Sequence, residues 1–380
     1  MATLRPCAIP PERFWQLGVM LVAFGFSLRS SAQEGASVIK TDEAVEFFPT
    51  AARLTEDRTQ WLIPIHGWIY EPERNSVVRR VLIDQLRNSI VDLDASLDRD
   101  LVEQRLWRFV VDNERDKRVT IEIAEREIVL PASAADGHFE ETVALAARDV
   151  ETASRDGVLE FRAALNEGDD RQIIGRVRLV PPTGVAVISD IDDTVKITEV
   201  LDKRKMLRNT LAEPFRTAPG MAERYRGWAA EGASFHYISG SPWQLHADLS
   251  AMLDADHFPM ATLTLRRVRL KDTSMLELFR SPVEFKLDAI ESALAAWPER
   301  DFILVGDSGE KDPEVYGEIS RRFPDKVRLI AIRNVTDEER TAERFQQAFR
   351  GVDPERWELF SEPASLPAIA KLKPLPLERP

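Results

Sequence analysis

Val185-Ala186-Val187-Ile188-Ser189-Asp190-Ile191-Asp192-Asp193-Thr194 is the stretch on which the fold of this chain turns. Four apolar residues in a row read as a strand buried on both faces, and the acid just beyond them marks its carboxyl end. The pattern recurs at Phe235-His236-Tyr237-Ile238, followed by Ser239, and at Phe302-Ile303-Leu304-Val305, followed by Gly306-Asp307. Val327 to Ile332 reads as a fourth strand. Amphipathic helical stretches separate these runs, as in a parallel α/β sheet. Ligands of open parallel sheets bind at the carboxyl ends of the strands, so Asp190, Ser239 and Asp307 are expected to converge on one site.

The helix starts sharpen this expectation. Ser241-Pro242-Trp243-Gln244 and Ser281-Pro282-Val283-Glu284 have capping-box spacing with proline at the first helical position, and Asp312-Pro313-Glu314 offers a third start of similar form. N-termini of helices that follow the strands lie on the same rim, where unpaired N–H groups favour an anion such as phosphate. Lys286 shares a helical stripe with Ile290, Ala293 and Trp297, which points it inward. Asp190, Asp192 and Asp193 put three carboxylates into four residues, and these repel one another unless a cation or positive residues sit among them. A hard divalent ion, Mg2+ by preference, is the expected neutraliser, with Asp307 as a further ligand from another strand end. Two aspartates two positions apart can divide the chemistry, one attacking phosphorus and the other transferring a proton.

Together, Asp190-x-Asp192-x-Thr194, Ser239, Lys286 and Gly306-Asp307 with Asp312 resemble the four motifs of the haloacid dehalogenase superfamily. More narrowly, Asp190-Ile191-Asp192-Asp193-Thr194-Val195-Lys196, Ser241-Pro242-Trp243-Gln244-Leu245 and Gly306-Asp307-Ser308-Gly309-Glu310-Lys311-Asp312-Pro313-Glu314 resemble the actin-patch-protein type of phosphatidate phosphatase and its bacterial relatives. This resemblance covers roughly residues 180–340, and Gly67-Trp68-Ile69-Tyr70-Glu71-Pro72-Glu73 is similar to the segment that precedes the catalytic domain in that family. It implies a Rossmann-like, haloacid dehalogenase-like α/β domain and a Mg2+-dependent phosphatase acting on phosphatidate or a related lipid phosphomonoester. It further implies that Asp190 attacks phosphorus to form an aspartyl-phosphate, and that Asp192 protonates the leaving alcohol and then activates water. Ser239 and Lys286 would hold the transferring oxygens; Asp190, Asp307 and the backbone carbonyl of Asp192 would hold Mg2+. Asp312 would position Lys286 or a metal-bound water, or only cap its helix, and Asp193 and Thr194 would shape the loop.

The remainder of the chain sets the context. Its 380 residues are 44% apolar and 30% charged, and 51 basic against 64 acidic residues give a net charge of −13, which argues against a general nucleic-acid binder. The single cysteine, Cys7, excludes an internal disulfide framework and a cysteine-based zinc site. Arg5 and Arg13 precede an apolar run from Leu17 to Leu28, and Ser30 and Ala32 are spaced like a signal-peptidase site before Gln33. Residues 1–32 are therefore expected to be a cleaved secretory signal, and the protein periplasmic or secreted.

Residues 33–180 read as a smaller β-rich, sandwich-like domain with helices. Trp61 to Tyr70 reads as a strand in which Pro64 marks an edge or bulge. Asn75 is placed to cap a helix with Val78, Val81, Leu82 and Leu86 on one face, and Leu101 to Val111 reads as a second helix. Val119–Ile123, Phe139–Ala144, Val158–Ala164 and Ile173–Val180 read as strands. Pro181-Pro182-Thr183-Gly184 is the expected boundary, residues 181–360 the phosphatase domain, and residues 361–380 a Pro-rich disordered tail. No Gly-x-Ser-x-Gly elbow and no phosphate-binding Gly-x-x-x-x-Gly-Lys-Ser/Thr loop occurs, and the five histidines lack metal-ligand spacing. Arg266, Arg267, Arg269 and Lys271 form a basic cluster that reads equally as a peripheral contact with an anionic lipid surface or as a solvated face. Two other readings stay open: a phosphatase for a soluble phosphomonoester, and a non-catalytic phosphate- or lipid-binding module. Phosphate release from lipid and soluble esters, with and without Mg2+, separates the three.

Overall fold

The computed structural model describes residues 35–91, 97–268 and 282–375. The expected signal segment, the Ser281 helix start, and Arg269 and Lys271 of the basic cluster lie outside the described residues.

Apolar–polar alternation builds the first half into nine strands: β1 (Ala44–Phe48), β2 (Thr50–Leu54), β3 (Gln60–Glu71), β4 (Asp112–Asn113), β5 (Thr120–Ile123), β6 (Arg126–Val129), β7 (His138–Ala146), β8 (Val158–Ala164) and β9 (Ile174–Leu179). They join in the order β1-β3-β2-β9-β8-β5-β6, with β4 and β7 also paired to β3. The sheet folds over on itself. Phe47 on β1 and Phe161 on β8 would lie about 19 Å apart in a flat sheet of that order, yet their ring centroids are 4.7 Å apart. Ile63 and Ile65 from one layer meet Ile121 and Val177 from the other in a common core.

Three expectations for this half need correction. Pro64 marks neither an edge nor a bulge, because β3 runs through the middle of its layer and Pro64 stands in register with Thr142. On its other side β3 passes from β2, paired at Trp61 and Leu62, to β1, paired from His66 onward, and Pro64 falls in the gap between them. Its carbonyl faces that gap, accepting from Thr50 Oγ1 at 2.5 Å, so the missing N–H faces it too and no ladder bond is lost. The helix Val77–Val91 receives its side-chain cap contact from Ser76 rather than Asn75. On the face that carries Val78, Val81, Leu82 and Leu86, Val78 and Val81 are 81% and 52% exposed, while Ile83 is buried. The second helix runs only from Arg99 to Trp107, started by Asp98, whose carboxylate accepts from the Asp100 and Leu101 amides. The two helices pack with Met206, Leu207 and Leu211 from the other half of the chain.

In the second half, β10 (Gly184–Ser189), β11 (Ser234–Pro242), β12 (Ala261–Arg266), β13 (Arg300–Asp307), β14 (Val327–Arg333) and β15 (Trp357–Phe360) form an all-parallel sheet in the order β12-β11-β10-β13-β14-β15. The four expected strands are present, and β12 and β15 extend the sheet at its two edges. Both faces are covered, so the central strand is apolar throughout: Val185 and Val187 pack toward Tyr225, Trp228 and Leu249, whereas Ala186 and Ile188 pack toward Ile290, Val315 and Ile319. The sheet grows outward from β10 in both directions, and the crevice at such a switch is where ligands bind. Here that crevice lies between the ends of β10 and β13.

The tail is not disordered over its described part. Leu366, Ile369, Leu372 and Leu375 recur every third residue and are all buried. Trp228 Nε1 donates to the Pro367 carbonyl at 2.9 Å, and Arg328 donates to that of Leu372 at 2.8 Å. The two halves also share a core, in which Phe48, Trp68 and Phe109 pack with Trp243 and Leu249. The described residues from Ala36 onward accordingly form one compact unit.

Candidate active site

The Asp190 amide continues the β10–β13 ladder by donating to the Val305 carbonyl at 2.8 Å, which fixes Asp190 at the mouth of the crevice. The chain then turns sharply, and the Ile191 carbonyl accepts from the Val195 and Lys196 amides at 2.9 and 2.8 Å. Asp193 takes the left-handed conformation (φ 52°). Its carboxylate gathers the amides of Thr198, Glu199 and Val200 at 2.7–2.8 Å, so this acid builds the loop and faces no ligand. From β13, Asp307 Oδ1 accepts from the Gly309 and Glu310 amides, leaving Oδ2 directed elsewhere.

Three carboxylates meet in the crevice: one oxygen each from Asp190, Asp307 and Glu310 lie within 4.8 Å of one another. Lys286 Nζ stands 2.9 Å from Asp190 Oδ1, 2.9 Å from Glu310 Oε2 and 2.5 Å from Asp312 Oδ1. The contact with Asp190 is an ion pair without hydrogen-bond alignment, and neither Asp190 oxygen nor Asp307 Oδ2 makes a hydrogen bond. All three atoms are buried, and carboxylate oxygens in that condition are costly unless something else satisfies them. Burial raises the Asp190 carboxyl well above its usual range, with Asp312, Glu310 and Asp307 adding to the effect against the pull of Lys286. Burial raises Asp307 as well, with Asp312, Glu310 and Asp193 adding to the effect against Lys286. Burial would lower Lys286, but Asp190, Asp312 and Glu310 overcome it and hold the ammonium. Negative charge in excess of one lysine, with unbonded oxygens pointing together, fits a divalent cation with oxygen ligands.

The expected ligand set is Asp190, Asp307 and the backbone carbonyl of Asp192; the carboxylate trio keeps Asp190 and Asp307 and adds Glu310. The Asp192 carboxylate is fully engaged elsewhere: Oδ1 accepts from Lys196 Nζ at 2.8 Å and Thr198 Oγ1 at 2.7 Å, and Oδ2 accepts from Ser239 and Ser241 hydroxyls at 2.9 Å each. Burial alone would raise it, but the Lys196 ammonium and these hydrogen bonds hold it well below the usual carboxylate range. Asp312 is likewise turned away from the trio. One oxygen holds Lys286, the other accepts from the Asp307 amide at 3.1 Å, and the carboxylate does not cap its helix. Of the alternatives for Asp312, positioning Lys286 is the one its contacts carry. Gly306 makes this approach feasible, since a Cβ there would stand 2.3 Å from Asp312 Oδ2.

Ser239 and Lys286 both reach the crevice, Ser239 through Asp192 and Lys286 through Asp190. Ser241 lies at the end of β11 with its hydroxyl on Asp192, and no side chain caps the turn that follows. Sequence reasoning missed Glu310, Lys196 and Ser241 as site residues. All three stand inside the quoted motifs, but only tertiary placement gives them partners. His246 contacts Glu46 at 2.8 Å and so joins the two halves of the chain. His236 lies inside the sheet between Thr262 and Thr264. Within the basic cluster, Arg267 is ion-paired with Glu140.

Residues 185–334 match the family model of the phosphatidate phosphatase APP1 catalytic domain. Phosphatidate phosphatase APP1 of Saccharomyces cerevisiae is 34% identical over 158 residues, which is 40% of this chain and 26% of that protein. An uncharacterized protein of Schizosaccharomyces pombe is 31% identical over 166 residues, 43% of this chain and 27% of that protein. This chain thus spans about a quarter of the length of the curated relatives it matches. A solved Thermotoga maritima structure named as a β-phosphoglucomutase is 14% identical and covers 47% of this chain and 94% of its own, at a TM-score of 0.28 that carries no weight for the fold. The matched residues 185–334 run from β10 to the end of β14 and hold every acid of the crevice, so the similarity to the phosphatidate phosphatase APP1 catalytic domain falls on the site itself.

Proposed function

We propose that this chain is a divalent-metal-dependent phosphatase, with Mg2+ as the metal, that hydrolyses phosphatidate or a related lipid phosphomonoester in the manner of the haloacid dehalogenase superfamily. The observation that carries the proposal is the buried Asp190 carboxylate, whose oxygens make no hydrogen bond, beside Lys286 and two further carboxylates at the switch point of a parallel sheet. Its counterpart in the comparisons is the match of this region to a phosphatidate phosphatase catalytic domain.

Asp190, Asp307 and Glu310 would hold the metal, which when bound offsets their charge and that of the phosphoryl oxygens. An Asp190 oxygen forms a bond to phosphorus as the bond to the ester oxygen breaks, leaving an aspartyl-phosphate and an alcohol. Lys286, held by Asp312, presents its ammonium to the transferring oxygens, and the Ser239 hydroxyl is close enough to Asp192 to turn toward them. Asp192 donates the proton to the leaving oxygen and then takes one from the water that attacks the aspartyl-phosphate, releasing phosphate. Its contacts with Lys196 and Thr198 favour the carboxylate, the form suited to the second step. The acid role in the first step requires those contacts to open.

The apolar Leu17–Leu28 run and the Ser30/Ala32 spacing support export, which would place this activity in the periplasm or outside the cell. A substrate panel tests the function: phosphate release from phosphatidate, glycerol 3-phosphate and p-nitrophenyl phosphate, each with Mg2+ and with chelator. Metal-dependent release from phosphatidate is expected. Release confined to the soluble esters refutes the lipid reading, and no release from any of them refutes the phosphatase.

A further inference from the structure

Beside the catalytic rim lies a groove of about 550 Å3, within the roughly 300–1,000 Å3 usual for small-molecule sites. Both halves of the chain wall it: Val78 and Leu82 of the helix Val77–Val91, Phe109 and Val111 from the segment after the second helix, and Gln244 and Val268 from beyond β11 and β12. Gln244 Nε2 donates to the Val268 carbonyl at 3.1 Å, tying those two strand ends together. Gln244 is three residues past Ser241, whose hydroxyl holds Asp192. In the sheet, β12 stands two strands from β10, about 10 Å to one side of Asp190, and Val268 lies past the end of β12, further along the strand direction.

The charges in the groove are neutralised within it or at its edge. Arg79 pairs with Glu73 and Asp112, and Arg108 pairs with Glu46. Nothing in it therefore calls for a second charged group. Its apolar side is a different matter, because Val78 is 81% and Leu82 39% exposed on a helix whose face there has no partner among the described residues. An occupant that is apolar, and attached to a phosphate reaching Asp190, satisfies both conditions.

We infer that this groove takes an acyl chain of the lipid phosphomonoester whose phosphate sits at Asp190, and that it sets the preference of the site for lipid over soluble esters. The inference rests on the phosphatase reading above and adds the determinant of substrate class. The glycerol bridge and the methylenes of a chain lead from the one place to the other. Contact with the groove would strengthen binding with each methylene, up to about fourfold per group until the groove is filled.

The test uses the full chain with Mg2+ and dibutyryl-, dihexanoyl- and dioctanoyl-phosphatidate, each below its micelle concentration, with glycerol 3-phosphate as the chainless reference. For the wild type, kcat/KM is expected to rise steeply with chain length. Val78→Glu and Leu82→Glu place a charge against the chain at exposed positions that do not threaten folding, and each is expected to cut the dioctanoyl-to-glycerol 3-phosphate ratio at least tenfold. A rise with chain length that both variants retain overturns the inference, as does hydrolysis of dioctanoyl-phosphatidate with no dependence on chain length. A wild type that releases phosphate only from glycerol 3-phosphate removes the lipid reading itself. Dissociation of a dimer by Val78→Glu would assign the groove to a second copy of the chain and overturn the inference in another way.

Discussion

Gly306→Ala adds one methyl group to the site and should disable it. The new Cβ would stand 2.3 Å from Asp312 Oδ2 and 2.6 Å from its Cβ and Cγ. Ordinary contact begins about an ångström further out, so the carboxylate has to move by about that much. Asp312 cannot make this movement without consequence, because Oδ2 accepts from the Asp307 amide at 3.1 Å and Oδ1 holds Lys286 at 2.5 Å. Retreat is blocked, since Asp312 is fully buried at the start of the helix Asp312–Arg322. Overpacking of this kind costs about 1–3 kcal/mol. A misplacement of about 1 Å in a group that orients a phosphoryl-binding lysine costs on the order of 100-fold in kcat. The assays are metal-dependent phosphate release and thermal unfolding of the same preparation, and a large loss of turnover with a modest loss of stability is expected. A variant within threefold of wild-type kcat would refute the reasoning, because Asp312 would then have no positioning role that depends on its closeness to Gly306.

Other perturbations separate the remaining parts of the site. Glu310→Gln should weaken Mg2+ binding at least tenfold in calorimetric titration, whereas Asp312→Asn should weaken it less, since only Glu310 belongs to the carboxylate trio; the reverse order contradicts the ligand set. Lys196→Met removes the buried cation paired with Asp192 and should destabilise the fold by about 3 kcal/mol in chemical denaturation; a change below about 0.5 kcal/mol shows that the pair does not matter to the resting state. His138 and His66, 3.0 Å apart where the two halves meet, are held by burial at about 4 and about 2, with Arg267 adding to the effect and Asp136 and Glu46 opposing it at His138. Both are therefore neutral when folded and gain protons on unfolding below the ordinary histidine value of about 6.5. Stability is full above that pH and falls as pH drops toward 4, by about 2–3 kcal/mol at pH 4.5 from His138 alone. His138→Gln should remove that part of the pH dependence in unfolding experiments at pH 7 and 4.5, and an unchanged dependence contradicts it.

The parts of this molecule that were legible in its sequence are those decided locally. An apolar run buried on both faces followed by an acid is a one-dimensional pattern, so β10, β11 and β13 and the positions of Asp190, Ser239 and Asp307 could be read from it. The inward direction of Lys286 followed from helical spacing in the same way, and it shares a buried stripe with Ile290 and Ala293. What could not be read depends on partners distant in the chain. The partners that engage both oxygens of the Asp192 carboxylate, Lys196, Thr198, Ser239 and Ser241, come from two separate segments that no local pattern joins. Glu310 has no periodicity to mark it and joins the site because Asp307 gathers the Gly309 and Glu310 amides and folds the loop back. The stripe on Val77–Val91 has core-like spacing, but the surface it meets is built by a groove that no local pattern reveals. The tail shows the opposite case. Its prolines suggested disorder, yet leucine or isoleucine at every third position is the repeat that three-residue turns present to one side, and the tail forms such turns at Pro363–Ser365 and Ile369–Lys371.

At the centre of the proposed function is covalent chemistry at Asp190, and this can be tested during turnover. Enzyme mixed with phosphatidate and Mg2+ is quenched in the steady state, reduced with borohydride, digested and mapped by mass spectrometry. An aspartyl-phosphate at position 190 appears as homoserine in the peptide that carries Ile191 and Asp192, and the Asp190→Asn variant yields neither that product nor free phosphate. Sustained phosphate release by Asp190→Asn, or reduction at another acid while Asp190 stays unmodified, would contradict it.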